Sequence, residues 1–234
     1  MPGKIILLPN VLDEALSHES VFPPSVALAV KEIQGLIVES EKSGRRYLRR
    51  FLSHEKMAAL ALRLLNEHTQ TQEFDHLLEP MKRGEVWGLI SDAGLPCIAD
   101  PGAELVARAH RLGIEVEALV GPCSIILALQ LSGFSGQCFC FHGYLPKEES
   151  LLEQAFRNME KRCKIETQIW IEAPYRSEKM LDQLKRVLSL DTVLCVAASL
   201  TFPTQKVLSQ PIRLWKQSSF SLSKEPAIFL LGTV

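Results

Sequence analysis

The sequence lacks several signatures that would assign it at once to a well-known class of enzyme. It has no Gly-x-Gly-x-x-Gly after its first apolar run and no Gly-Lys-Ser/Thr loop, so a dinucleotide dehydrogenase or a P-loop nucleotide hydrolase is not supported. A Gly-x-Ser-x-Gly turn is also missing, which argues against a serine hydrolase. Because no apolar run approaches the length of a membrane span, we expect a cytoplasmic protein with no membrane partner.

Cysteine spacing and net charge weaken two further classes. The six cysteines form no Cys-x-x-Cys pair and have no histidines at zinc-ligand intervals, so buried, reduced thiols are expected. The formal charge of −1 argues against a broadly basic surface for nucleic acid, although a local basic patch is compatible with it. With 234 residues and 47% hydrophobic content, the chain can bury a sizeable core in one large domain or two small ones.

Apolar runs and helix-like segments alternate along the chain. In the first half, Lys4 to Leu8, Leu36 to Glu39 and Val86 to Ile90 are predicted to be strands, and residues 56–67 to be a helix. Further strands are predicted at 114–119, 138–142, 168–172, 193–197 and 227–231. Such alternation predicts an α/β protein with largely parallel sheets and right-handed crossovers, and two sheets fit better than one.

The turn Val120-Gly121-Pro122-Cys123 is the predicted boundary between two domains. A Gly-Pro turn punctuates the end of one alternating unit and the start of the next. We therefore expect an N-terminal α/β domain at 1–120 and a C-terminal α/β domain at 121–234, with a cleft between them.

The stretch from Ser91 to Gly102 is the most informative part of the sequence. It places two aspartates, two glycines and two prolines between an apolar strand and a helix. Loops at the carboxyl ends of strands in open α/β sheets are where these folds bind ligands, and glycine lets backbone groups approach a ligand closely. The stretch is therefore a candidate binding site, and the competing interpretation makes Asp92 and Asp100 simple caps of the turn and the next helix.

Four motifs in this order resemble the tetrapyrrole methylase superfamily. They are Ser91 to Gly102, Gly121-Pro122-Cys123-Ser124, Phe141-His142-Gly143-Tyr144-Leu145-Pro146 and Glu172-Ala173-Pro174-Tyr175-Arg176. The chain is most similar to the branch that methylates a ribose 2′-hydroxyl of small-subunit ribosomal RNA. The resemblance implies two α/β domains of the tetrapyrrole methylase type, with a cleft between them for S-adenosylmethionine, and usually a homodimer.

The resemblance also implies which residues contact the cofactor. These belong to the loop after the first strand, the Asp-containing loop, the segment after the Gly-Pro turn, the region after residue 172 and the start of the final strand. Carried onto this chain, they are Leu8, Pro9, Asp92, Ala93, Gly94, Ile98, Cys123, Ser124, Ala173, Pro174, Pro226 and Ala227. From the sequence alone, Ser124 fits a plain helix cap equally well.

Three segments depart from the pattern of that branch. The first loop, residues 8–13, lacks the glycine of Pro-Thr-Pro-Ile-Gly-Asn-Leu, and residues 38–42 replace Ala-Glu-Asp-Thr-Arg by Val-Glu-Ser-Glu-Lys. Residues 198–202, Ala-Ser-Leu-Thr-Phe, have lost the three charged groups of Arg-Glu-Leu-Thr-Lys. Cofactor binding is therefore carried over to this chain with better support than the identity of the substrate.

Methyl transfer to a ribose oxygen requires the donor and the acceptor to be held in line and needs no metal. A hydroxyl is a poor nucleophile, so Glu39 and Asp100 are candidates to accept or orient its proton, and Arg176 to hold the adjacent phosphate. The alternatives are a solvent-facing carboxylate at a strand end for Glu39, a helix cap for Asp100 and a surface arginine for Arg176.

The strongest basic cluster is the run from Lys42 to Arg50, with five cations in nine positions. On a helix, its arginines would form one positive face that engages RNA phosphates, unless the run is simply a solvated helix surface. These candidate RNA-binding residues are Arg45, Arg46, Arg49 and Arg50. Tyr144 and Tyr175 are candidates for base stacking or for packing between the domains.

The sequence thus supports a methyltransferase whose partner is ribosomal RNA or the small ribosomal subunit. One alternative is methylation of a small molecule such as a tetrapyrrole, which the near-neutral charge favours. Another is a homologue that binds the cofactor or RNA without catalysis, which the missing charges at 198–202 favour.

Overall fold

Residues 3–70 and 72–233 are described by the structure, a computed structural model. They form two compact units that divide between Cys123 and Ser124. No helix in these described ranges combines the length and the apolar character that crossing a membrane requires.

The first unit is built on a parallel five-stranded sheet in the order β3-β2-β4-β1-β5. Its strands are β1 (Lys4–Leu7), β2 (Gly35–Val38), β3 (Ala61–Leu64), β4 (Val86–Leu89) and β5 (Glu115–Ala118). Its helices are α1 (Pro24–Glu32), α2 (Glu41–Leu48), α3 (His54–Ala59), α4 (Glu73–Lys82) and α5 (Gly102–Arg111), with a 3-10 turn at His18–Ser20. Because the strands are parallel, all five carboxyl ends lie at one edge of the sheet.

The central strands of this sheet are buried on both faces. Ile5, Leu36 and Ile37 are fully buried, and the side chains of Leu36 and Ile37 belong to two different core clusters. Continuous apolar runs are the pattern typical of strands covered by helices on both sides of a parallel sheet. The predicted strands at 4–8, 36–39 and 86–90 are confirmed to within about a residue.

The prediction of one helix across 56–67 was wrong. Helix α3 ends at Ala59, and residues 61–64 form strand β3, which pairs with β2 from Gly35 opposite Ala61 to Val38 opposite Leu64. The alanine and leucine residues of this segment favour a helix, but backbone hydrogen bonds to the open edge of β2 outweigh that preference. Local propensity could not reveal the edge, because β2 lies more than twenty residues earlier in the chain.

The second unit contains a mixed sheet in the order β6-β7-β10-β8-β9. Its strands are β6 (Phe139–Tyr144), β7 (Thr167–Glu172), β8 (Val193–Ala198), β9 (Lys206–Pro211) and β10 (Ala227–Gly232), and its helices are α6 (Ser124–Ser132), α7 (Glu149–Arg162), α8 (Ser177–Val187) and α9 (Ile212–Trp215). Strands β6 and β7 pair in parallel, whereas β10 runs antiparallel to both β7 and β8, and β8 antiparallel to β9. The expectation of a largely parallel sheet was therefore wrong for this half, because the final strand inserts between β7 and β8 in the opposite direction.

Aromatic packing fills the core of the second unit. Trp170 and Phe229 are fully buried, and their rings stack with centroids 5.6 Å apart. Trp215 is also buried, and its indole Nε1 donates to the Leu194 carbonyl at 2.9 Å, so its polar atom is satisfied. Helices α7 and α8 follow β6 and β7, so both begin at the edge where those strands end.

Candidate functional site

Asn10 connects the loops that follow β1 and β4 in the first unit. It is 2% exposed, and its Nδ2 donates to the carbonyl oxygens of Ser91 and Asp92, each at 3.0 Å. Its Oδ1 accepts from the Val11 amide at 2.9 Å, and its own amide donates to the Gly94 carbonyl at 2.7 Å. These bonds fix the conformation of the 91–94 loop relative to the end of β1.

Glu39, the first residue after β2, contacts the same loop. Its Oε1 accepts a hydrogen bond from the Asp92 amide at 2.8 Å. Burial raises the pKa of Glu39 above its ordinary value, and the nearby charges of Asp92 and Asp100 raise it further, against the opposing effect of the Asp92 amide. Glu39 is therefore not a simple solvent-facing carboxylate, since it both positions the loop and holds a proton more readily than an ordinary glutamate.

Asp100 closes the loop ahead of α5. Its Oδ1 accepts from the amides of Cys97 and Gly102 at 3.0 and 2.8 Å, so it joins the loop to the first residue of α5, although the N-cap position of that helix is occupied by Pro101. Its Oδ2 is buried and has no hydrogen-bond partner among the described residues. Cys97 and Ala99 have positive φ angles of 70° and 65°, a left-handed conformation that non-glycine residues adopt at a cost. Two such residues within four positions of a loop indicate a constrained backbone.

The outer surface of this loop is partly apolar. Asp92 and Ala93 are exposed, and Ile98 has an exposed fraction of 41%. Gly94 has a φ of 73°, which glycine adopts without strain. A few backbone groups, one apolar side chain and nearby carboxylates thus lie together where β1, β2 and β4 end, which is the usual place for ligands in open α/β sheets. We call this arrangement, formed by Asn10, Glu39 and residues 91–102, the first-unit edge.

Gly121, in the turn that the sequence marks as the domain boundary, packs closely against Pro9. A Cβ atom on Gly121 would lie 2.0 Å from the Cβ atom of Pro9, so only glycine fits at this position without a shift. Leu8 and Pro9 are themselves buried, which leaves backbone groups as their means of contacting a ligand. Cys123 ends the first unit, and Ser124 is the first residue of α6 in the second.

The second unit has an edge of its own where β7 and β8 end and β10 begins. Ala227 pairs with Glu172 on one side and with Ala198 on the other. The Pro226 carbonyl accepts from the Ser199 amide at 3.0 Å. This pairing brings four of the predicted contact residues to one edge, namely Ala173, Pro174, Pro226 and Ala227.

Arg176 is held by a buried carboxylate. One of its guanidinium nitrogens lies 3.1 Å from Oε2 of Glu172, whose other oxygen accepts from the Ala173 amide at 2.7 Å. The Glu172 side chain is 1% exposed and that of Arg176 20%. Arg176 is therefore an oriented cation rather than a free surface arginine.

The expectation that four arginines share one helix face was wrong, because α2 ends at Leu48, so that Arg49 caps the helix and Arg50 lies beyond it. Arg50 donates to the carbonyls of Leu16 and Glu14, each at 3.0 Å, and to the Glu14 carboxylate at 2.7 Å. Its side chain is 14% exposed. Arg50 thus anchors the segment that follows the first loop, and its charge is largely committed to that contact.

The other three arginines of this cluster are exposed, but two of them have acidic neighbours. Arg46 lies 2.9 Å from Glu14, and Arg45 lies 3.5 Å from Glu41 one turn earlier in α2. Arg49 forms no ion pair with any described residue. The positive charge of α2 is therefore partly neutralised within the first unit.

Sequence reasoning missed Asn10 and Glu172 as site residues. A buried polar residue directly after an apolar strand was a signal for Asn10, but its partner carbonyls lie more than eighty positions away. Glu172 was quoted only as part of a motif, and its burial becomes evident from the pairing of β7 with β10. His142, from the third motif, has its Nε2 2.8 Å from Oε1 of Gln168.

The two α/β units, each with polar loops at its strand ends, define a two-domain α/β protein. Over residues 29–214 the chain matches the family described as Tetrapyrrole (Corrin/Porphyrin) Methylases. The chain belongs to this family, which confirms the resemblance of the four motifs.

Relatives and solved structures agree with this assignment. Ribosomal RNA small subunit methyltransferase I of Haemophilus influenzae is 32% identical over 149 residues, which are 64% of this chain and 52% of that protein. The protein of the same name from Pseudomonas aeruginosa is 28% identical over 189 residues, 81% of this chain and 64% of that protein. The methyltransferase CobJ shares the fold, with a TM-score of 0.65 at 18% identity, covering 99% of this chain and 95% of that one. The chain spans about half the length of most of the curated relatives it matches.

Proposed function

We propose that this protein transfers a methyl group from S-adenosylmethionine to a ribose 2′-hydroxyl of ribosomal RNA. The observation that carries the proposal is the first-unit edge, where Asn10 and Glu39 hydrogen-bond to the backbone of Ser91 and Asp92. The names of the curated relatives support ribosomal RNA of the small subunit as the acceptor.

The first-unit edge suits a positively charged nucleoside. S-adenosylmethionine supplies a methyl group activated by its attachment to a sulfonium. The buried Oδ2 of Asp100 lacks a partner among the described residues, and Glu39 adds a second carboxyl group, so a cation is favoured nearby. The exposed side chain of Ile98 offers an apolar contact of the kind that nucleoside sites combine with a few polar groups.

The proposed cofactor contacts are those that the resemblance implies. In the first unit they are Leu8, Pro9, Asp92, Ala93, Gly94, Ile98 and Cys123. In the second they are Ser124, Ala173, Pro174, Pro226 and Ala227, of which the last four would serve the adenine.

Glu39 is the preferred proton acceptor for the ribose hydroxyl. The pKa of Glu39 is raised toward neutral pH, and a general base is most effective when its pKa lies near the working pH. Asp100 is the weaker candidate because its Oδ1 already accepts two backbone hydrogen bonds. Arg176, oriented by Glu172, is proposed to hold the phosphate next to the reacting ribose.

Two measurements test this proposal. Titration calorimetry with S-adenosylmethionine should show binding, and the labelled cofactor should transfer its methyl group to RNA of purified small ribosomal subunits. Asp92→Ala should weaken cofactor binding more than it lowers the melting temperature. Cofactor binding without label in any RNA fraction would contradict the RNA assignment, and the absence of binding would contradict the whole proposal.

A small-molecule acceptor such as a tetrapyrrole is the second candidate. It is favoured by the net charge of −1 and by the acidic neighbours of Arg45, Arg46 and Arg50, which reduce the cationic surface available to RNA. Label transferred to a porphyrinogen but not to RNA would establish it. A protein that binds the cofactor and labels neither acceptor would match the non-catalytic alternative that residues 198–202 suggest.

A homodimer is part of the proposal because the resemblance implies it, and the cytoplasmic location expected from the sequence is part of it as well. Light scattering of the purified protein should give twice the chain mass of 26.2 kDa. A mass equal to that of one chain at assay concentration would refute the dimer.

A further inference from the structure

We propose that a cationic pocket in the second unit binds single-stranded RNA, with a phosphate between Lys147 and Lys179 and a base stacked on Tyr175. The pocket has a volume of about 230 Å³ and lies beside the first turns of α7 and α8. The inference rests on the proposed function, because it assigns the site at which the RNA substrate is held.

Positive charge dominates the lining of this pocket. Three cations, Lys147, Arg176 and Lys179, face one carboxylate, Glu149. Glu149 itself lies 3.4 Å from both Gln183 Nε2 and the guanidinium of Arg186, so its charge is partly committed elsewhere. An anion entering the pocket would therefore meet a surplus of positive charge.

The two lysines are available for an external anion. Lys147 and Lys179 are both exposed, and neither forms an ion pair with a described residue. They differ in this respect from Arg46 and Arg50 of the first unit, which share the Glu14 carboxylate. Of these cations, the pocket lysines gain the most from a phosphate, since no internal salt bridge must be broken first.

The position of the cations at helix starts is the second observation. Lys179 lies in the first turn of α8, and Arg176 directly precedes that helix. Helix N-termini carry partial positive charge, so basic residues there are unfavourable in the absence of a nearby anion. Helix α7 also begins at this edge, with Lys147 two residues before its first residue, Glu149. Glu149 in the first turn of α7 and Glu178 in the first turn of α8 offset part of this positive charge, and a bound phosphate would offset more of it.

Tyr175 adds a surface for a base. Its side chain borders the pocket, is 70% exposed and has no hydrogen bond to any described residue. Exposed aromatic rings beside cations are how proteins bind unpaired nucleotides, with the base on the ring and the phosphate on the cation. The combination favours a single strand over a duplex, whose bases are already stacked.

The charge-reversal variant K147E/K179E tests the site, with anisotropy of a short fluorescein-labelled single-stranded RNA measured over a range of salt concentrations. RNA affinity should fall at least about 10-fold, and the slope of log affinity against log salt should decrease by roughly 0.7, because the contact to one phosphate is lost. Y175A should also weaken binding about 10-fold, whereas Y175F keeps the stacking ring and should bind like the unaltered protein. Arg176 is left unchanged because its replacement would leave the buried Glu172 carboxylate without its cation.

The matched control is K161E/K164E, which makes the same change in charge at the other end of α7. Both of these lysines are exposed, so the variant should bind RNA like the unaltered protein. Equal losses in the two double variants would overturn the inference by showing that only net charge matters.

Calorimetry with S-adenosylmethionine on the same preparations separates this inference from the proposed function. If K147E/K179E loses RNA affinity and keeps cofactor affinity, the pocket is supported. If the unaltered protein methylates RNA and K147E/K179E binds RNA equally well, the pocket is refuted and the proposed function stands. If the unaltered protein neither binds nor labels RNA, both are refuted.

Discussion

Replacing Asn10 by alanine should loosen the first-unit edge. The side chain makes three hydrogen bonds, to the carbonyls of Ser91 and Asp92 and from the amide of Val11. At about 1 kcal/mol for each bond, their loss predicts roughly 3 kcal/mol of destabilisation. Asn10 is 2% exposed, so water cannot easily replace the missing donor. Such a loss is a large part of the total stability of a typical domain.

Urea unfolding and hydrogen exchange measure this effect. The urea midpoint of the first unit should fall, and amides of the loops after β1 and β4 should exchange faster, while the second unit keeps its protection. Cofactor affinity should fall as well, because the 91–94 loop is no longer held. Asn158→Ala is the matched control, since Asn158 is exposed on α7 and should change stability by less than about 0.5 kcal/mol.

Asn10→Asp sharpens the experiment. It keeps an acceptor for the Val11 amide but directs a second oxygen at two carbonyl oxygens, so it should cost at least as much as alanine. If Asn10→Ala shifts the urea midpoint no more than Asn158→Ala does, the hydrogen bonds of Asn10 do not stabilise the edge, and the reasoning fails.

Three further predictions concern charged residues. Because the folded state holds the Glu39 proton more tightly than the unfolded state, the free energy of unfolding should fall as pH rises from 4.5 through the raised pKa of Glu39. Glu39→Gln should remove this fall and abolish methyl transfer. If urea unfolding of Glu39→Gln shows the same pH profile as the unaltered protein, the prediction is wrong. Arg176→Met should lower the free energy of unfolding by roughly 3 kcal/mol, because it leaves the buried Glu172 carboxylate without its cation. Adding Glu172→Gln should recover part of this loss in thermal unfolding. If nothing is recovered, the ion pair does not stabilise the fold. Arg50→Ala should destabilise by roughly 1–3 kcal/mol and Arg49→Ala by less than about 0.5, and equal melting temperatures would refute the anchoring role of Arg50.

The amino-acid pattern was sufficient for most of the elements that local signals define. Strands β1, β2 and β4 are continuous apolar runs because helices cover them on both faces, and such runs are visible without knowledge of their neighbours. Gly113 lies two residues after the end of α5, and its φ of 69° is the left-handed conformation that a glycine adopts at the end of a helix. The density of turn formers from residue 91 to 102 likewise indicates a loop through local signals alone.

Pairing between distant segments was decided by the tertiary structure. Residues 61–64 are a strand because β2 offers an open edge, and the second sheet is mixed because β10 enters between β7 and β8. The sequence predicted four arginines on one helix face, whereas α2 ends at Leu48 before two of them. Glu14 lies beside Arg46 and Arg50, and Arg50 also donates to backbone carbonyls.

For the candidate site, the sequence determined which loop matters, and the tertiary structure determined what that loop contacts. Asp92 and Asp100 were visible as polar residues after a strand, but Asn10 and Glu39 become their neighbours only through strand pairing. Composition and spacing carry information about a residue and its near neighbours in the chain. Hydrogen bonds, burial and the pKa of a carboxyl group depend on atoms that folding brings together from far along the chain.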